Sequence, residues 1–110
     1  TDDKPQPFID ANGKTMVPVR FVSETLGAEV GWNGELRQVT ITDYVTGKTI
    51  LLTLDSKNAT VNGVAAVPEL ESAATLSNNS TFVPIRFIAE QLGCVVSFND
   101  DTRVVTIHRD

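Results

Sequence analysis

Shifting the chain against itself by 66 residues lays Asn12–Ile41 over Asn78–Ile107 without a gap, and no other feature of the sequence limits its fold more. The first copy reads NGKTMVPVRFVSETLGAEVGWNGELRQVTI and the second NNSTFVPIRFIAEQLGCVVSFNDDTRVVTI. Fifteen of the thirty paired positions are identical, where pairing at average composition would give about two. Most of the others are like for like, as with Val19 and Ile85 or Trp32 and Phe98. Two copies are too few for a solenoid. The reading is therefore one module over residues 1–110, with units at about 12–41 and 78–107. The intervening 42–77 holds TILLTL and ATVNGVAAV, both strand-like, so it belongs to the structure and is no linker.

Each copy predicts a turn, a short strand, a short helix and a hairpin. The turns are Asn12-Gly13 and Asn78-Asn79, pairs that tolerate positive φ. Val17 and Val83 precede prolines, which pushes them towards extended geometry. Pro18 and Pro84 suit the first turn of a helix, where a missing N–H costs nothing. Val19, Val22 and Leu26 share a helical face, as do Ile85, Ile88 and Leu92, and Gly27 and Gly93 stand where a glycine ends a helix. Such helices are too short to persist alone and need a sheet to lie on. Alternation over Val30–Asn33 and Gln38–Thr42, and over Val95–Asn99 and Val104–His108, predicts two hairpins. Asn62-Gly63 marks a two-residue hairpin turn, and Glu69–Leu76 reads as a loop with a helical turn. The fold class is α+β: antiparallel sheets with two short helices packed on them.

Composition removes several functions. The net charge is −5 and the nine Lys and Arg are scattered, which argues against nucleic acid as a partner. No apolar run is long enough to insert into a membrane, and Thr1–Asp10 does not read as a signal peptide. One Cys and one His supply neither a disulfide nor a multi-Cys metal site. Cys94 with His108 has no third group to orient a nucleophile, and no GxSxG or phosphate-cradling loop occurs. Asp55, Asn58, Asn99, Asp100 and Asp101 do not follow calcium-loop spacing. No catalytic residue, metal or cofactor is expected.

The candidate binding residues are Arg20, Arg86 and Trp32. Arg20 and Arg86 stand four residues before Glu24 and Glu90, so each pair adjoins on a helix surface. That spacing predicts an ion pair or an Arg tying down loop carbonyls; the alternative is an Arg that holds a ligand. Trp32 and Phe98 alternate with Val30 and Val96, which predicts core packing; the alternative is a platform for stacking sugars.

The string TxVPxRF, the ExLG that follows it, the V-x-W/F-N of the first hairpin strand and the closing VTI occur in both copies. They resemble the copper amine oxidase N-terminal-like, or stalk, domain, which carries such motifs in tandem. The resemblance covers both copies, and the VNG hairpin is similar to the strand pair before the motif. The first copy has only Thr1–Ala11 before it, so its lobe is expected to be either truncated or completed differently. The resemblance implies an antiparallel sheet wrapped against helix, on secreted or wall-associated bacterial proteins, with Pro18, Pro84, Glu24, Glu90, Gly27 and Gly93 as structural motif positions. Copper and amine oxidation would need three His and a processed Tyr; the chain has only His108 and Tyr44. The expected function is a non-catalytic stalk, spacer or docking module, extracellular or wall-associated. Another envelope protein, or a second copy in a homodimer, would be its partner. The alternative is a module that binds cell-wall polysaccharide.

Overall fold

The computed structural model describes residues 7–66, 70–77, 79–99, 101 and 104–109, with the side chains of 98 and 109 outside that description. β1 (Phe8–Ile9) turns at Gly13, φ +75°, into β2 (Thr15–Pro18). α1 spans Val19–Leu26. Pro18 is its N-cap, with φ −60° and ψ 138°. The proline thus ends the strand and precedes the first helical residue, one step earlier than the first-turn position expected from sequence. It can do both because its ring fixes a φ shared by strand and helix. Gly27 closes the helix at φ 73°, its N–H donating to Ser23 O at 2.8 Å. β3 (Glu29–Asn33) and β4 (Gln38–Asp43) form the hairpin that follows.

The middle segment continues that sheet. β5 (Lys48–Thr53) pairs with β4, and β6 (Ala59–Val61) joins β5 to β7 (Val64–Ala65). Asn62 and Gly63 both take positive φ, 54° and 82°. That is the backbone of the mirror-image turn that matches strand twist. Leu70–Ala74 is a loop, and Thr75–Ser77 is a strand, β8. The helical turn expected over Glu69–Leu76 is absent among the described residues. A three-residue strand shows too little alternation to be read from sequence.

β9 (Ser80–Pro84), α2 (Ile85–Leu92), β10 (Cys94–Asn99) and β11 (Val104–Arg109) complete the chain. Pro84 caps α2 as Pro18 caps α1, and Gly93 ends it at φ 68°. The turn residues Asn78, Asp100, Thr102 and Arg103, and Pro68 after the middle hairpin, lie outside the described residues.

Among the described residues three antiparallel sheets result, in the orders β1-β2-β9-β8, β3-β4-β5-β6-β7 and β10-β11. The pairing of β2 with β9 joins the copies. Val17 lies opposite Val83, Met16 opposite Pro84 and Pro18 opposite Phe82. Val17 and Val83 occupy corresponding positions 66 apart, so the register is self-complementary, as in an isologous dimer interface. Both helices pack against this strand pair; α1 also touches β3 and β11, and α2 touches β10. One hydrophobic cluster draws Val17, Val22, Val39 and Ile41 from the first copy and Ile50 and Leu52 from the middle. It also takes Val83, Ile88, Leu92, Val105 and Ile107 from the second copy. Each large aliphatic buried there contributes about 1.5–3 kcal/mol of transfer free energy.

Strand alternation sorts the five-stranded sheet into two faces. Val39, Leu52 and Ala59 form one buried row, and Ile41 and Ile50 another. Thr40, Thr42, Thr49, Thr53 and Thr60 stand half-exposed on the opposite face. Lys48 reaches across from β5 and donates from Nζ to Gln91 O at 2.7 Å. α2 has no basic residue in its own last turn, so this lysine is the cation that faces the negative end of its dipole.

The N-terminal turn is tied down by polar contacts. Asp10 Oδ1 accepts the N–H groups of Asn12 and Lys14, both at 2.9 Å, and Asn12 donates from its side chain to Ser72 Oγ at 3.2 Å. The Ser72 hydroxyl bond, helped by those two backbone bonds and the Lys14 charge, holds the Asp10 carboxyl below its ordinary value against a smaller opposing effect of burial. A lowered folded-state value means that this contribution is present above the unfolded carboxylate range and is lost as pH falls through the folded value. Ser72→Ala is expected to move the Asp10 titration back up, read by carboxyl-carbon NMR; an unmoved titration would remove Ser72 as the cause.

Candidate functional site

Trp32 lies on the apolar face of its sheet, opposite Val39, which is 1% exposed. Alternation therefore gave its direction correctly. Yet the indole is 52% exposed, so the core packing expected for it is not what forms. β3 is one of the two edge strands of the five, and on its side the core ends one strand further in. Leu36, 60% exposed, follows in the hairpin turn, which Asn33 closes by accepting the Leu36 N–H. Gly34 adjoins the indole: a β-carbon there would lie 3.5 Å from Trp32 Nε1. The Phe98 side chain, its counterpart, falls outside the described residues.

Arg20, Glu24, Arg86 and Glu90 are all exposed on their helices. Neither Arg–Glu pair closes. Among the described residues the ion pairs are Lys14–Glu71 at 3.0 Å and Arg37–Asp55 at 3.2 Å. The order explains the correction: with Arg on the N-terminal side the i,i+4 pair has its weaker orientation, and water competes freely at an exposed site. Arg86 and Glu90 line an open cleft of about 920 Å³ with Lys14, Val64, Glu71 and Phe87. Arg20 and Glu24 lie on the other helix and do not line it. The two arginines are therefore not brought to one site, and the cleft mixes both signs of charge with aliphatic wall.

Two further groups were not singled out by sequence. Asp43, 1% exposed, accepts from the Thr46 N–H and hydroxyl at 3.1 and 2.7 Å and anchors the β4–β5 turn. Tyr44, 71% exposed, donates its phenol hydrogen to Glu29, and that bond is the main reason its hydroxyl titrates above the ordinary range. An acidic residue three before a turn Thr could have flagged Asp43; nothing local pairs Tyr44 with Glu29 across fifteen positions.

The motif positions thus hold backbone and packing roles: prolines as helix caps, glycines as left-handed helix ends, valines at the joining strand pair. The profile of the copper amine oxidase N-terminal domain matches residues 2–107. The chain belongs to that family. Comparison with curated proteins returns no match. The copper amine oxidase N-terminal domain is a non-catalytic stalk. Among the described residues no three of His, Cys, Asp and Glu come together. Cys94 instead donates its thiol to Leu92 O at 3.6 Å, and His108 lies exposed on β11. Among the described residues, no helix is long and apolar enough to cross a membrane.

Proposed function

We propose that residues 1–110 act as one rigid stalk or docking module of a larger secreted or wall-associated protein. The observation that carries this reading is the joint between the copies. Val17 and Val83, both fully buried, sit at the centre of a strand pair on which both helices rest. Sequence identity between the copies is therefore invested in mutual packing, and among the described residues the exposed groups left over form no set that could activate a nucleophile or move a proton. Rigidity over the whole chain is what a spacer needs. Limited proteolysis and small-angle scattering test it: a single particle of Cα radius of gyration near 13.1 Å, with no cut between the copies, agrees with the reading, and separable halves would end it.

The exposure of Trp32 favours a second reading, in which the indole and Leu36 form a small platform for cell-wall polysaccharide. Carbohydrate modules stack sugars on such faces, but they use extended aromatic surface, and here one indole adjoins one aliphatic residue. The first reading expects the chain to remain in solution over insoluble peptidoglycan, cellulose and starch. Retention on one of them, lost in Trp32→Ala with only about 1 kcal/mol of stability given up, would replace it with the second.

A further inference from the structure

Asn-Gly occurs three times, at Asn12-Gly13, Asn33-Gly34 and Asn62-Gly63. In such a pair the glycine backbone nitrogen can attack the asparagine side-chain amide, because no β-carbon on the glycine stands in its way. This reaction is one reason asparagine is a thermolabile residue. The three pairs are chemically alike in sequence, and the fold sets them apart.

Attack needs two freedoms. The side-chain carbonyl carbon must swing onto the glycine nitrogen, and that nitrogen must give up its proton. At Asn12-Gly13 both are restrained. Asn12 donates from its side chain to the Oγ of buried Ser72 at 3.2 Å, and the Gly13 N–H donates to Asp10 O at 3.0 Å. At Asn62-Gly63 the asparagine is tied twice to the neighbouring strand. Its Oδ1 accepts the Thr49 N–H at 2.9 Å, and its own N–H donates to Thr49 O at 2.8 Å. Asn33 differs from both. Its Oδ1 accepts only the Leu36 N–H, at 3.1 Å, three residues on in the same exposed turn. That bond closes no contact with another strand, so a local motion of the turn releases the side chain. Residues 31–37 are all exposed, so water and base reach the pair.

We propose that Asn33 is a site of spontaneous deamidation and isoaspartate formation in the folded chain, while the fold protects Asn12 and Asn62. Solvent base takes the Gly34 N–H proton, and the nitrogen forms a bond to Asn33 Cγ. The Cγ–Nδ2 bond breaks and ammonia leaves. Water then opens the cyclic imide at one or other carbonyl, giving aspartate or isoaspartate. One water is consumed, one ammonia is released, and nothing is oxidised or reduced. Either product adds a negative charge to a chain already at −5. Isoaspartate also lengthens the backbone by one atom where Asn33 pairs with Gln38. The hairpin end that carries Trp32 and Leu36 is therefore where the module ages first.

The test is to incubate the whole chain at mildly alkaline pH and follow each pair by peptide mass spectrometry and enzymatic isoaspartate methylation. Tryptic cuts after Lys14, Arg20, Arg37, Lys57 and Arg86 place the three pairs on three different peptides. Modification at Asn33 is expected to run about fivefold or more ahead of Asn12 and Asn62, the factor that one further hydrogen bond to break supplies. In urea the three rates should converge. Ser72→Ala should raise the native rate at Asn12 and leave that at Asn33 alone. Gly34→Ala should all but remove reaction at Asn33 in a chain that still folds. Gly34 holds no positive φ, and the added carbon would meet Trp32 Nε1 at an ordinary 3.5 Å. Native rates at Asn12 or Asn62 that match Asn33 would overturn the proposal. So would equal slowing of all three on folding, or an undiminished reaction at Asn33 in Gly34→Ala. None of these outcomes touches the stalk reading, which stands or falls on whether the two copies move as one body.

Discussion

Ile88→Ala is expected to weaken the entire chain by about 2–5 kcal/mol, in one transition, although the change lies in the second copy alone. Ile88 is fully buried on α2 and belongs to the cluster that also holds Val22 and Val39 of the first copy and Leu52 of the middle segment. Removing three carbons there leaves a cavity in that shared cluster. A chain of this size has about 5–15 kcal/mol of stability in total, so the loss should appear as a large shift of the denaturant midpoint. The cooperative unit is the informative part of the measurement. If the copies share one core, amides in β4 and β5 should lose hydrogen-exchange protection together with those of β9 and α2. Two separate transitions, with β4 and β5 protected after the second copy has melted, would mean that the joint at Val17 and Val83 does not couple them.

Local features of this fold were legible because they are written in residues with strong backbone preferences. Proline before an apolar helical stripe, and glycine after it, set both ends of α1 and α2 to within a residue. Asn62-Gly63 announced its turn, and the two hairpins followed from alternation. What sequence could not carry was strand order. Nothing in Thr15–Val17 or Thr81–Val83 says that these segments pair with one another, because the pairing spans 66 positions and depends on which edges the rest of the chain leaves free. The same blindness explains Trp32. Its face was readable, but exposure depends on whether another strand lies beyond β3, and none does among the described residues. Arg20 and Glu24 show a third limit: spacing makes two charges neighbours, while solvent decides whether they close. The Asp43 anchor and the Lys48 cap on α2 were missed because each depends on a contact fixed only after β4 and β5 pair.

Gly27 and Gly93 offer the cleanest separation of backbone from packing. Both hold φ near +70°, 73° and 68° respectively, and a β-carbon built on either would meet no atom within 4 Å. Space is therefore no obstacle, and any cost of substitution must come from the left-handed conformation. For an ordinary L-residue that cost is about 1–2 kcal/mol, and a β-branched side chain should stand at or beyond the upper end. Gly93→Val is expected to lower the melting temperature by several degrees, about 4–8 °C for each kcal/mol in a domain this small. Gly27→Val should do the same, since Gly27 donates to Ser23 O just as Gly93 donates to Ala89 O. Gly93→Asn should cost much less, because asparagine enters the left-handed region readily, as Asn62 and Asn79 already do in this chain. The ordering Gly, Asn, Ala, Val is the signature of conformational strain. A steric clash would instead penalise Asn at least as heavily as Ala, and a melting temperature unchanged in Gly93→Val would mean that the helix does not end where this glycine turns the chain into β10.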